Sequence, residues 1–166
     1  MRVKPGQHLS QAGVSLARRV GEGLGPFDRV VTSTLPRAFE TAIAMGFAVD
    51  AQVEQLSTFG EDVEAELEWP AGFAEVARIV AQNGPSARFA REQAALWRSI
   101  VEQLPDGGHG LIVTHGGIIE LGAVGCLQVA DHAQWGPYCD YCEGIRLEFE
   151  GKRFADARIL RVKFER

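Results

Sequence analysis

Gly110-Leu111-Ile112-Val113-Thr114-His115-Gly116-Gly117 is the stretch on which the reading of the fold turns. Gly110 to Thr114 is a continuous apolar run, as expected of a central strand covered on both faces, because a parallel strand between two helical layers has no polar side. The two glycines after His115 let a ligand approach the backbone closely. A helix is predicted to start just past His115 and to end near Leu127. In open α/β sheets ligands bind at the carboxyl ends of strands. Helix N-termini at those ends present unpaired N–H groups and a positive dipole end, which suits an anion.

A second junction of the same kind lies upstream, in Val30-Val31-Thr32-Ser33-Thr34-Leu35-Pro36-Arg37-Ala38-Phe39-Glu40-Thr41-Ala42. Arg29 to Thr32 reads as a short buried strand and Ser33 to Leu35 as a tight turn. Pro36 suits the first helical position, and the helix runs to about Met45. Arg37 then falls in the first turn, where a cation opposes the helix dipole. Two readings are open for it: a solvated surface arginine, or a guanidinium that forks onto a phosphate. His115 has two as well, a buried structural histidine or the acid, base or nucleophile of a site.

Around these junctions the pattern is α/β. Ser10 reads as the N-cap of a first helix carrying Val14, Ala17, Val20 and Leu24, stopped by Gly23 and Gly25-Pro26. Val53 to Leu56 reads as another short strand, and Glu61 to Glu68, with five carboxylates, as a mobile surface segment. Phe73, Val76, Ala77 and Val80 mark one helix. Ser86 is expected to cap another, with Phe89, Gln93, Leu96, Ile100 and Leu104 down one side. At the C-terminus, Ile145, Leu147 and Phe149 alternate with charged residues, as do Leu160, Val162 and Phe164, with a turn around Glu150-Gly151-Lys152. The expected fold is a three-layer α/β sandwich with a mostly parallel central sheet and a C-terminal antiparallel hairpin, residues 1–166 forming a single domain.

Composition narrows the function classes. At 166 residues and 46% hydrophobic content, the chain has material for one core. Its net charge of −5 and dispersed basic residues argue against nucleic-acid binding. No apolar stretch is long enough for a membrane span, and Met1 to Ser10 has no secretory apolar region. The three cysteines, Cys126, Cys139 and Cys142, suggest reduced thiols and a cytoplasmic setting. A zinc site of Cys126, His132, Cys139 and Cys142 is a weaker reading, because only one Cys-x-x-Cys pair exists. No G-x-G-x-x-G follows a strand, which argues against a dinucleotide binder.

Three motifs in order carry a resemblance. Leu9-Ser10-x-x-Gly13, then Ser33-Thr34-Leu35-x-Arg37-Ala38-x-x-Thr41-Ala42, then Thr114-His115-Gly116-Gly117 resemble successive signatures of the histidine phosphatase (phosphoglycerate-mutase-like) superfamily, over about Leu9 to Leu127. The resemblance implies hydrolysis of a small phosphomonoester, or less readily mutase transfer, through a phosphohistidine and without metal or other cofactor. It implies that Arg37 and Gly116 bind the substrate phosphate and that His115 is a catalytic contact of the transferring phosphoryl group. The family's proton donor is a carboxylate between the last two motifs. Thr58 stands at the usual acid position, so Glu61 is the first substitute, with Glu54 and Glu64 as others. The expected partner is a small phosphorylated substrate or phosphate, with a homo-oligomer open.

The resemblance breaks at the start. The family opens with a strand ending in Arg-His-Gly or Arg-His-Ala, whose histidine becomes phosphorylated, and no such triplet occurs here. His8 reads as a loop histidine, and Arg2 or Lys4 are the basic residues nearest the place of the missing arginine. Either the start lies downstream of the motif, or the nucleophile is lost and the domain only binds phosphoesters or interacts. In the family the missing strand is central, so its absence is expected to call for another strand, a partner chain or a rearranged sheet.

Overall fold

The structure is a computed structural model that describes residues 7–163. Arg2, Lys4 and Phe164 fall outside the described residues. The remainder is α/β as expected, with a parallel sheet, helices and a C-terminal antiparallel hairpin. It divides into two compact units, one of residues up to Ser57 with Gln103–His115, the other of Thr58–Glu102 with the residues from Gly116 onward.

In the first unit, α1 (Gln11–Gly21) begins where Ser10 predicts: the Ser10 hydroxyl accepts the Gly13 N–H at 3.1 Å. Strand β1 (Arg29–Thr32) leads through the Ser33–Leu35 turn into α2 (Pro36–Ala44), which has Pro36 in its first turn. Strand β2 (Ala51–Gln52) and strand β3 (Gly110–Val113) both pair parallel to β1, in the order β2-β1-β3. The central strand is therefore β1, whose Val30 and Val31 are buried, with Ala38 and Ala42 of α2 also in the core.

β3 corrects the expectation drawn from its apolar run. It is an outer strand with half-buried side chains, and among the described residues no strand lies on its other edge. Hydropathy reports how well the faces of a strand can be covered; its rank in the sheet is set by the crossovers. Val53 to Leu56 is corrected too. The strand there is only Ala51–Gln52, and Glu54–Leu56 forms a 3-10 turn.

Close backbone approach fixes how α1 meets α2. A Cβ added at Gly21 would lie 2.1 Å from the Met45 carbonyl oxygen, a main-chain atom that cannot swing away. Gly21→Ala is expected to destabilise the protein by about 1 to 3 kcal/mol, the usual range for overpacking, read from the midpoint of urea unfolding.

The second unit holds α3 (Glu61–Glu66), α4 (Phe73–Val80), α5 (Pro85–Val101), α6 (Ile118–Cys126), β4 (Gly144–Glu150) and β5 (Arg153–Leu160). The acidic stretch is helical rather than irregular. Glu61, Asp62 and Glu64 sit in the first turn of α3, where negative charge offsets the helix dipole, and Val63 and Leu67 anchor the segment in the core. Ser86 does not cap α5. Gly84 is the N-cap, Pro85 follows it, and the Ser86 N–H donates to Glu66 Oε2 at 2.8 Å.

Phe73, Val76, Leu121 and Val124 belong to this unit's core cluster. Small residues bring α5 and α6 together, since a Cβ on Gly125 would lie 2.1 Å from the Ala90 carbonyl oxygen. In the hairpin, Gly151 and Lys152 both have positive φ, the geometry of a tight two-residue turn, so β5 starts at Arg153 and ends at Leu160. The predicted strand over Leu160 to Phe164 thus lies one strand length too far along. Cys139 and Cys142 lie in the loop before β4.

Candidate functional site

The site grows from the pairing of β1 with β3. Thr32 stands opposite Val113, and the ladder continues one step beyond, the Ser33 N–H donating to the Val113 carbonyl at 3.0 Å. Both chains then leave the sheet at the same carboxyl edge. There the Ser33 hydroxyl meets Nε2 of His115 at 2.6 Å. Ser33 is fully buried and His115 is half-buried.

Arg37 reaches the same edge from the first turn of α2. Its charge acts on His115, whose pKa is pushed down to about 4, by burial first and by Arg37 second. The imidazole is therefore neutral near pH 7. Burial also lowers the Arg37 pKa; a guanidinium nonetheless stays charged. Its Nη1 is a buried donor with no hydrogen-bond partner among the described residues. A buried donor left unpaired is costly and uncommon in a folded chain. Of the two readings open for Arg37, that of a solvated surface arginine does not fit an atom this enclosed.

The turn between β1 and α2 is held from below. Thr34 N–H donates to Ser57 Oγ at 3.1 Å, and Thr34 Oγ1 donates to Glu54 Oε2 at 2.5 Å. Gln52 Nε2 donates to the Ser33 carbonyl at 3.3 Å, and Thr114 Oγ1 to the Leu56 carbonyl at 2.6 Å. The segment after β2 thus ties both strand ends that carry Ser33 and His115. Glu54 is the carboxylate that the first unit brings to this turn.

The other expected residues sit elsewhere. Glu61 is exposed at the start of α3 in the second unit. Gly116 is exposed, and a Cβ there would lie 2.6 Å from Cζ2 of Trp69, so the indole packs onto that backbone. His8 lies in the loop before α1 with its ring exposed. Its Nδ1 pairs with the Glu40 carboxylate, which also accepts the Leu9 N–H at 2.6 Å. Those two bonds hold the Glu40 carboxyl below its ordinary pKa, the Leu9 N–H contributing most.

Sequence reading missed Ser33 as a partner of His115. The only signal available was its place one residue past the strand end, and its partner lies 82 residues away.

The family model that matches the chain is described as the histidine phosphatase superfamily (branch 1), over residues 2–159. Two solved structures share the fold. A structure titled mycobacterial hydrolase 1 is 18% identical, with a TM-score of 0.61, covering 96% of this chain and 88% of its own. The native structure of a mycobacterial glucosyl-3-phosphoglycerate phosphatase is 19% identical, with a TM-score of 0.65, covering 96% and 89%. No curated protein matches in sequence.

Proposed function

The chain belongs to the histidine phosphatase superfamily, and from that premise we propose that Arg37 and His115 form the phosphoryl-binding half of a phosphomonoester hydrolase site. The unpartnered, buried Nη1 of Arg37 beside a neutral imidazole carries this reading. A phosphoryl group offers several acceptor oxygens, and a guanidinium presents its donors in the fork that fits them. Fixed donors aimed at the phosphoryl oxygens stabilise the charge those oxygens carry as the group transfers, which is the main catalytic contribution in such reactions. Proton delivery to the leaving oxygen falls to a carboxylate, and Glu54 is the one that the first unit brings to this turn.

A second reading, a phosphoester-binding domain of the same fold with no turnover, rests on the same two side chains, because a guanidinium and an imidazole hold a phosphoryl group whether or not it transfers. Calorimetric titration with inorganic phosphate, together with an assay using p-nitrophenyl phosphate, separates the two. Saturable phosphate binding with turnover that survives His8→Ala but not His115→Ala supports the hydrolase. Binding without turnover assigns the domain to phosphoester recognition. Absence of both overturns the proposal.

The histidine gives the binding a definite pH dependence. His115 is neutral above its pKa of about 4 in the free protein, and a bound anion raises that pKa by stabilising the imidazolium. Binding therefore takes up a proton between pH 4 and the higher pKa of the complex. Sulfate keeps its charge across this range. Its affinity is expected to rise as the pH falls from 7 to 5, by at most about tenfold per pH unit, one proton's worth of linkage. His115→Gln should flatten the profile.

A further inference from the structure

We propose that Ser33 is a positioning residue of this site: its hydroxyl holds Nε2 of His115 and so fixes Nδ1–H as the hydrogen-bond donor that the imidazole offers to a phosphoryl oxygen. This rests on the phosphate-binding reading of Arg37 and His115 and adds which nitrogen does the work and what decides it.

Ser33 Oγ accepts the Leu35 N–H at 3.3 Å, on the turn that leads into α2. Its own hydrogen has no other acceptor among the described residues, so in this fully buried place it is satisfied only by donation across the 2.6 Å contact to His115 Nε2. A neutral imidazole has one N–H and one lone pair, and which nitrogen holds the hydrogen is set by the partner of the other. With Nε2 receiving the Ser33 hydrogen, the ring hydrogen sits on Nδ1. Nδ1 has no hydrogen-bond partner among the described residues, so it is the nitrogen free to meet a ligand. The opposite tautomer would present a lone pair to an anion that also carries lone pairs, and the contact would repel.

Ser33 is itself held from several sides. It is fully buried, its N–H is bonded to Val113, and its carbonyl accepts from Thr32 Oγ1 at 2.9 Å and from Gln52 Nε2. A hydroxyl so fixed has little freedom to leave Nε2. When His115 takes up a proton on anion binding, the same hydroxyl can turn and accept from Nε2–H, because serine donates and accepts equally. The charged group that faces the ring is Arg37 on α2; Ser33 on the β1 side is uncharged. An alanine at position 33 removes both roles.

Nitrogen-15 spectra of the histidine rings test this at pH 7, with His115→Gln identifying the His115 signals. The wild-type protein should show the Nδ1–H tautomer of His115. In Ser33→Ala the population should move towards Nε2–H, and the affinity for inorganic phosphate should fall about 10- to 100-fold, the scale of one hydrogen bond to a charged group. Ser33→Cys, nearly the same size and a weak donor, should fall between the two. An Nε2–H tautomer in the wild-type protein overturns the proposal whether or not any variant folds. So does a Ser33→Ala protein with unchanged tautomer and unchanged phosphate affinity. If the wild-type tautomer is Nδ1–H but phosphate does not bind, the anion-site reading fails and the tautomer assignment stands.

Discussion

Arg37→Ala is expected to weaken phosphate binding about 100-fold while leaving the melting temperature unchanged or slightly higher. Hydrogen bonds to charged groups contribute about 1.5 to 3 kcal/mol each, and a forked contact makes two, so loss of about 3 kcal/mol is a moderate expectation. The stability half follows from the unpaired Nη1. An enclosed donor with no partner costs the folded state its solvation, so removing it relieves that cost. A binding residue whose loss does not destabilise the fold differs from a structural arginine, whose loss would lower both. Arg37→Lys should recover only part of the affinity, because an ammonium cannot fork onto two oxygens. Calorimetric titration with phosphate and a thermal melt, run on the same preparations, check both halves. A melting temperature that drops with the affinity would make Arg37 a packing residue.

Glu120→Ala is expected to destabilise the second unit by about 3 to 5 kcal/mol. Glu120 is fully buried. It stands three residues into α6 and accepts the Gly117 N–H at the helix start and the Cys139 N–H from the loop before β4, each at 2.7 Å. Burial raises its pKa against the pull of those bonds. Removing the carboxylate strands two buried N–H groups, each at about 1 to 3 kcal/mol, and uncaps α6. For a chain of this size that lowers the melting temperature by roughly 10 °C. Glu120→Gln should cost less, since its single carbonyl oxygen can serve one N–H while its amide group faces the other. Equal melting temperatures for the two variants would show that neither the volume nor the one acceptor that Gln keeps contributes.

Neither Ser33 nor Glu120 stood out in the sequence, for the same reason. Each is polar, each lies near a strand or helix end, and each is defined by a partner far along the chain. Arg37 and His115 were legible because the residues around them announce where they sit. Pro36 starts a helix after a strand, and Gly116-Gly117 ends one apolar run before another begins. The acidic segment misled in the opposite direction. Its charge density suggested a mobile surface segment, yet Val63 and Leu67 give it an inward face and the helix dipole welcomes its carboxylates.

Most element types, the two strand-to-helix junctions and the Ser10 cap were legible in the amino-acid sequence, because they depend on periodicity, on proline and glycine, and on short-range capping; the family was legible from three motifs in order. Tertiary structure alone decided that β1 and not β3 is central, that Ser33 meets His115, and that the Arg37 Nη1 is enclosed without a partner. Those are outcomes of which strands lie side by side and in what register. A one-dimensional pattern of apolar and polar residues fixes how each strand faces its neighbours and leaves open which neighbours it has.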